Sequence, residues 1–184
     1  MTDALTLIDF QKGFDSPVWG QRNNPGAEAV AANLLTHWRK EAGPVFHVQH
    51  LSQEPNSPLS GSGFDFRAGL EPLNGEVVIQ KSVNSAFIGT DLEDHLRRAD
   101  ISRLVICGLT TPHCVSTTTR MAANLGFDVV LVADACAAFT SNANTDWNSD
   151  VAPLSAQEIH GMALSHLHGE FAQVVNSSDI LSKE

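Results

Sequence analysis

Six short, mainly apolar runs separated by helical stretches constrain this chain's fold more than any other feature. They are Ala4–Ile8, Val45–Val48, Val77–Gln80, Arg103–Gly108, Val129–Ala133 and Phe171–Val175. Apolar runs of this length without polar alternation suit strands buried on both faces. Helical patterns lie between them. Pro25–Glu41 opens on proline and closes at Gly43-Pro44, and Thr111–Leu125 stops at Gly126. Thr90–Ala99 pairs Thr90 with Glu93, and Ser155–His168 pairs Ser155 with Glu158, both at capping-box spacing. Strand–helix alternation predicts right-handed crossovers and a parallel sheet covered by helices on both faces. The expected fold class is therefore α/β: a doubly wound, mostly parallel six-stranded sheet in three layers, α/β/α. No linker or internal repeat divides the sequence, so residues 1–184 are expected to form one domain. Two stretches fit no element, 52–69 (rich in Pro, Ser and Gly) and 139–153 (rich in Asn, Ser and Asp). Loops this long in a compact domain are usually functional.

Charge and cysteine content narrow the function classes. The net charge of −10 repels phosphate backbones and anionic lipid, so neither nucleic-acid nor membrane partners are expected. No apolar run approaches the roughly 18 residues of a membrane helix. Asp3 comes early and the first basic residue is Lys12, which does not suit a secretory leader. The three cysteines, Cys107, Cys114 and Cys136, cannot all pair, and none forms a C-x-x-C motif. A reducing, cytoplasmic setting is expected.

In an open parallel sheet, ligands bind beyond the carboxyl ends of the strands. The first strand ends at Asp9 and the third at Lys81, while the fourth leads through Gly108-Leu109-Thr110-Thr111-Pro112-His113 to Cys114. A carboxylate, an ammonium and a thiol thus converge on one edge. Each has an ordinary reading alone, as a turn former, a solvated surface group and a packing residue; their coincidence points to chemistry. With Thr111 as N-cap and Pro112 as first helical residue, Cys114 falls at the third helical position. The helix dipole there favours thiolate over thiol. The reactive state has the proton on Asp9, a Cys114 thiolate and a Lys81 ammonium, making Asp9 a general base and later a general acid. Cys107 and Cys136 lie in apolar or small-residue stretches and are expected to be inert core. Phe14 and Trp19 follow the Asp9 turn and are candidate pocket walls. Phe66, with Phe64 and Arg67, is a candidate lid, and His113 is a pocket candidate by its position next to the thiol.

These residues carry a resemblance. Asp9-Phe10-Gln11 with Phe14, Lys81 with Ser85-Ala86-Phe87, Gly89-Thr90-Asp91-Leu92, Gly108 through Val115, then Thr118, Arg120, Ala122, Gly126-Phe127 and Val132-Ala133-Asp134-Ala135 resemble the isochorismatase-like cysteine hydrolases in order and over nearly the whole chain. The resemblance implies an Asp-Lys-Cys triad at Asp9, Lys81 and Cys114. It implies a cis peptide at Leu109–Thr110 and an oxyanion hole formed by the N–H groups of Thr110 and Cys114. It also implies hydrolysis of a carbon–nitrogen bond in a small amide, carbamoyl or ureido substrate, without a cofactor, in a homodimer or homotetramer. Nicotinamidases of that family bind a metal through an Asp-x-His pair. Here the second strand ends His47-Val48-Gln49-His50, with no such Asp and with the two histidines on opposite faces, so no metal is expected. One of the two is expected as a satisfied core histidine and the other as a loop histidine. Two readings compete: an isochorismatase-type vinyl ether hydrolase, which does not need the thiol, and a non-catalytic binding domain. A dinucleotide site is excluded because Asp9-Phe10-Gln11-Lys12-Gly13-Phe14 lacks the Gly-x-Gly-x-x-Gly cradle.

Overall fold

A computed structural model describes residues 3–182. Six strands, β1 (Asp3–Ile8), β2 (Val45–His50), β3 (Val77–Lys81), β4 (Arg103–Leu109), β5 (Asp128–Ala137) and β6 (Gln173–Val175), form one sheet in the order β3-β2-β1-β4-β5-β6. Every adjacent pair is parallel. Five helices accompany them: α1 (Ala27–Lys40), α2 (Leu92–Arg98), α3 (Ser116–Asn124), α4 (Ala156–Leu167) and α5 (Ser178–Leu181). The chain runs outward from β1 to β3, returns to β4, and then builds toward β6. Right-handed crossovers therefore put α1 on one face and α2, α3 and α4 on the other. The expected three-layer α/β architecture is what forms.

The core follows from the apolar strands. Leu5, Ile8, Leu104, Ile106, Leu131 and Val132 are buried, and α1 adds Leu34 and Leu35 from its apolar stripe. Ser155 caps α4 as its spacing predicts, accepting from the Glu158 N–H while Glu158 accepts from the Ser155 N–H. Thr90 does not cap α2 in that way; α2 starts after Asp91 with no side-chain cap. β5 runs four residues beyond the expected Ala133, because its register with β4 shifts between Ile106 and Gly108. That irregular stretch turns Asp134 toward Ser177, whose N–H and hydroxyl it accepts at 2.8 and 2.6 Å, anchoring the start of α5. Among the described residues, no helix is long and apolar enough to cross a membrane.

β1 and β4 lie side by side at the point where the winding reverses. Gly108 is required there. Its φ is +144°, and a Cβ would collide with the carbonyl of Ile8. The absent side chain lets the exit of β4 close onto the exit of β1, beside Asp9.

Candidate active site

The chain leaves β1 through Asp9, whose φ of +54° is left-handed, a conformation that aspartate tolerates better than most residues. Its N–H donates to the Val48 carbonyl at 2.9 Å. Buried Gln11 then ties this turn to β2. Its Oε1 accepts from the His50 N–H at 2.8 Å, and its Nε2 donates to the His50 and Phe64 carbonyls, both at 3.1 Å.

Lys81 is the last residue of β3, and its side chain is fully buried. Its Nζ lies 2.7 Å from Asp9 Oδ2, 3.2 Å from Cys114 Sγ and 3.0 Å from His50 Nδ1. An ammonium has three protons and no acceptor. All three protons are therefore engaged, and His50 must accept at Nδ1. The His50 proton then sits on Nε2 and the ring is neutral. Burial, followed by the Lys81 charge, lowers its pKa in keeping with that state. Burial also pulls the Lys81 ammonium down, but the charges of Asp9 and Cys114 outweigh it and leave the pKa raised.

Cys114 corrects one expectation. Burial first, then the Asp9 charge, hold its thiol well above the ordinary range, against the opposing pull of Lys81. That direction favours the thiol and runs against the thiolate which the helix start was expected to favour. Local geometry explains part of this. α3 begins only at Ser116, and Cys114 sits in a wide turn, Thr111–Val115, where the Thr110 carbonyl accepts from both His113 and Val115 N–H groups. Thr110, with extended backbone, stands where Thr111 was expected to cap. The Thr111 hydroxyl bonds His160 Nδ1 at 2.8 Å instead, tying the turn to α4. The thiol has acceptors nearby: Asn84 Oδ1 at 3.6 Å, and the Asp9 carboxylate, whose buried Oδ1 takes no hydrogen bond from an N–H group. The Leu109–Thr110 peptide is cis.

Asp9, His50 and Cys114 each bring a potential ligand atom within 4.8 Å of the others. The Lys81 ammonium already contacts all three, so positive charge stands where a cation would bind. His47 lies on the other side of β2, as alternation requires, with Nε2 2.8 Å from Glu76. His50, by contrast, is the last residue of β2, so neither histidine lies in a loop. The sequence reading did not place it beside Lys81. The signal was register: His50 pairs directly with Lys81 across the β2–β3 ladder.

A cavity of about 510 Å³ opens above Cys114. Phe14 and Trp19 line it with ring centroids 5.1 Å apart, and Trp19 is fixed by its Nε1–H donating to the Gly13 carbonyl at 2.8 Å. Thr110, His113 and Cys114 line it from the turn that follows β4. Phe66 does not. Its ring packs edge-on against His47, and its backbone bridges Gln11. Arg67 is held by Asp15 and Glu28. The cover comes from an earlier part of the same loop, between Ser52 and Leu59, with Asn84 and Asn142 as further polar lining that the sequence did not single out. Cys107 and Cys136 are fully buried in the core and absent from the cavity.

Comparison with known proteins agrees with this architecture. The family model described as "Isochorismatase domain" matches residues 3–179. An uncharacterized isochorismatase family protein of Bacillus subtilis is 44% identical, over 97% of this chain and 94% of its own. A crystal structure of an isochorismatase-family hydrolase from Chromobacterium violaceum superposes with a TM-score of 0.90 at 44% identity, covering 98% of this chain and 92% of that one. A streptothricin hydrolase of Streptomyces noursei is 31% identical over 74% of this chain and 54% of its own. With the fold, the strand-end residues and the likeness all in agreement, this chain belongs to the isochorismatase family of hydrolases.

Proposed function

We propose that this protein is a cysteine hydrolase that cleaves a carbon–nitrogen bond in a small amide, carbamoyl or ureido compound. The observation that carries the reading is the buried Lys81 ammonium, bonded at once to Asp9 at 2.7 Å and Cys114 at 3.2 Å, with the sulfur lining a substrate-sized cavity. The streptothricin hydrolase relative is a named hydrolase of the same family.

The steps follow from that arrangement. The Cys114 thiol proton passes to Asp9, and Sγ attacks the substrate carbonyl carbon. The transfer also removes the carboxylate charge that raised the thiol, so the thiolate forms only as its opponent is neutralised. The Lys81 ammonium remains, and at about 4 Å and an effective dielectric near 20 it contributes on the order of 4 kcal/mol to holding the new anion. The carbonyl oxygen becomes an oxyanion that accepts from the N–H groups of Thr110 and Cys114. Asp9 then returns the proton to the leaving nitrogen, the amine departs, and a thioester remains on Cys114. Water, deprotonated by Asp9, cleaves it to the carboxylic acid (or carbamate), and Asp9 restores the thiol.

The test is an ammonia- or amine-release screen over small amides, followed by acid quench and mass spectrometry of the Cys114 peptide. An acyl adduct on Cys114, and loss of all turnover in Cys114→Ala, are expected. A Cys114→Ala protein that still turned over its substrate would move the reaction to cleavage without a sulfur nucleophile, as for a vinyl ether.

A further inference from the structure

We propose that the natural substrate is a neutral or cationic amide, and that the cavity discriminates against molecules bearing a carboxylate, sulfonate or phosphate. This deepens the reading above and rests on the cavity being the active site.

The argument is a charge count at the cavity. Among the described residues, no lysine or arginine lines it. Glu54, on the covering loop and exposed, is among the lining residues, and its charge acts electrostatically on His50. Cys114 lines it as a thiol. His50 is neutral because Lys81 donates to its Nδ1. His113 is held neutral by burial, which lowers its pKa. Lys81 and Asp9 lie behind the sulfur as a closed ion pair and cancel to first order. The cations near the aromatic wall are also paired: Arg22 with Glu28 at 2.7 Å, Lys12 with Asp65 at 3.1 Å and Arg67 with Asp15 at 2.7 Å. The fixed charge facing a ligand is therefore one negative unit, within a chain of net charge −10. A small anion entering would lose hydration with no cation to meet it.

The other lining groups fit the same chemistry. Phe14 and Trp19 add an aromatic wall that suits an apolar body and carries no positive charge. His50 offers Nε2–H, and Asn84 and Asn142 offer amide groups, which suit the carbonyl and N–H groups of an amide. These groups orient a polar neutral molecule, but none matches a planar anion as a guanidinium would.

The experiment uses reagents that differ only in charge and report on Cys114 itself. Methyl methanethiosulfonate is neutral, its aminoethyl relative cationic and its sulfonatoethyl relative anionic. In each case the Cys114 thiolate attacks the reagent sulfur, methanesulfinate leaves and a mixed disulfide forms. Rates at Cys114 are measured by mass spectrometry and divided by those of a free small thiol. The expected cationic-to-anionic ratio is about tenfold or more above the free thiol's, and it shrinks as salt is added. Glu54→Gln, an exposed loop change that leaves the core untouched, is expected to bring the ratio within about threefold of the free thiol's. Equal normalised rates for all three reagents, or a ratio that Glu54→Gln leaves unchanged, would overturn the charge reading and leave the nucleophile standing. Silence of Cys114 toward the neutral reagent would overturn the nucleophile assignment, and with it this inference.

Discussion

Two polar clusters grow from opposite sides of β2, three residues apart, and are built from the same parts. One joins His47, Glu76 and Arg39; the other joins His50, Asp9 and Lys81, with Cys114 added. In the first, every carboxylate oxygen is answered. Glu76 Oε1 accepts from Arg39 Nε, and Oε2 from Arg39 Nη2, His47 Nε2 and the Leu73 N–H, all at 2.8 Å. Burial alone would raise the Glu76 pKa, but the Arg39, Leu73 and His47 hydrogen bonds outweigh it and pull it down to about 2. In the second, Asp9 has one oxygen on Lys81, and no backbone or side-chain N–H answers the other, which the Cys114 thiol is placed to reach. The difference separates a carboxylate saturated with N–H donors from one with a buried oxygen still able to take a proton.

That contrast is broken most severely at its cations. Lys81→Met should lower turnover by at least about 10³, since it removes on the order of 4 kcal/mol of anion stabilisation at the sulfur. Turnover within tenfold of the parent, at retained circular dichroism, would place Lys81 outside the chemistry. At the matching acid, Glu76→Gln should cost about 2–3 kcal/mol of stability by denaturant titration and change turnover per folded molecule by less than about twofold. Its pH signature has a definite sign. A carboxyl depressed in the folded state stabilises fully above its unfolded value and loses that contribution as pH falls. The parent's melting temperature should therefore fall from about pH 4.5 toward 2, and less steeply in the variant.

Asp9→Asn sharpens the comparison from the other side. It removes the charge that raises the Cys114 thiol and leaves the Lys81 charge that lowers it. Alkylation of Cys114 at pH 7 should rise by about tenfold, on the order of 1.4 kcal/mol, while hydrolysis is lost. Slower alkylation would show that the carboxylate does not oppose the thiolate. The smallest effect is expected at His50. His50→Asn keeps an acceptor for Lys81, and a loss of about three- to tenfold in kcat/KM is predicted. Protonated His50 would set a second cation beside Lys81, so the parent's activity should fall on the acid side, below the ordinary imidazole range because the pKa is lowered. The variant should lack that limb of the pH profile, which a merely structural histidine would not supply.

Asp9, Lys81 and the turn to Cys114 were legible because strand ends are legible, and a parallel sheet gathers them at one edge. Alternation correctly separated His47 from His50 but could not tell which faced the lysine. That needed the β2–β3 register, a long-range property. Phe66 was misassigned for a related reason: composition marks 52–69 as a loop without tracing its path, which covers the cavity early and then dives against His47. The capping residue and the thiol's resting state were missed together. Both depended on the wide turn at Thr111–Val115 and on burial beside Asp9, neither of which capping rules contain.

The carbonyl of Pro58 lies so close to Gly13 and Gly63 that a Cβ on either glycine would strike it. The covering loop is thereby divided. From Pro58 onward it is keyed into the body of the protein, and any residue larger than glycine at either contact would lift it away. Just before the key, Gln53 and Glu54 line the cavity from exposed positions, while the Ser52 and Ser57 hydroxyls accept from the Glu54 and Leu59 N–H groups and shape the turns between them. Mutational drift is therefore channelled: the selectivity of this scaffold is free to wander along a few rim residues while the hinge on which the rim hangs stays fixed. A laboratory library confined to those positions should yield new substrate preferences at little cost in folding.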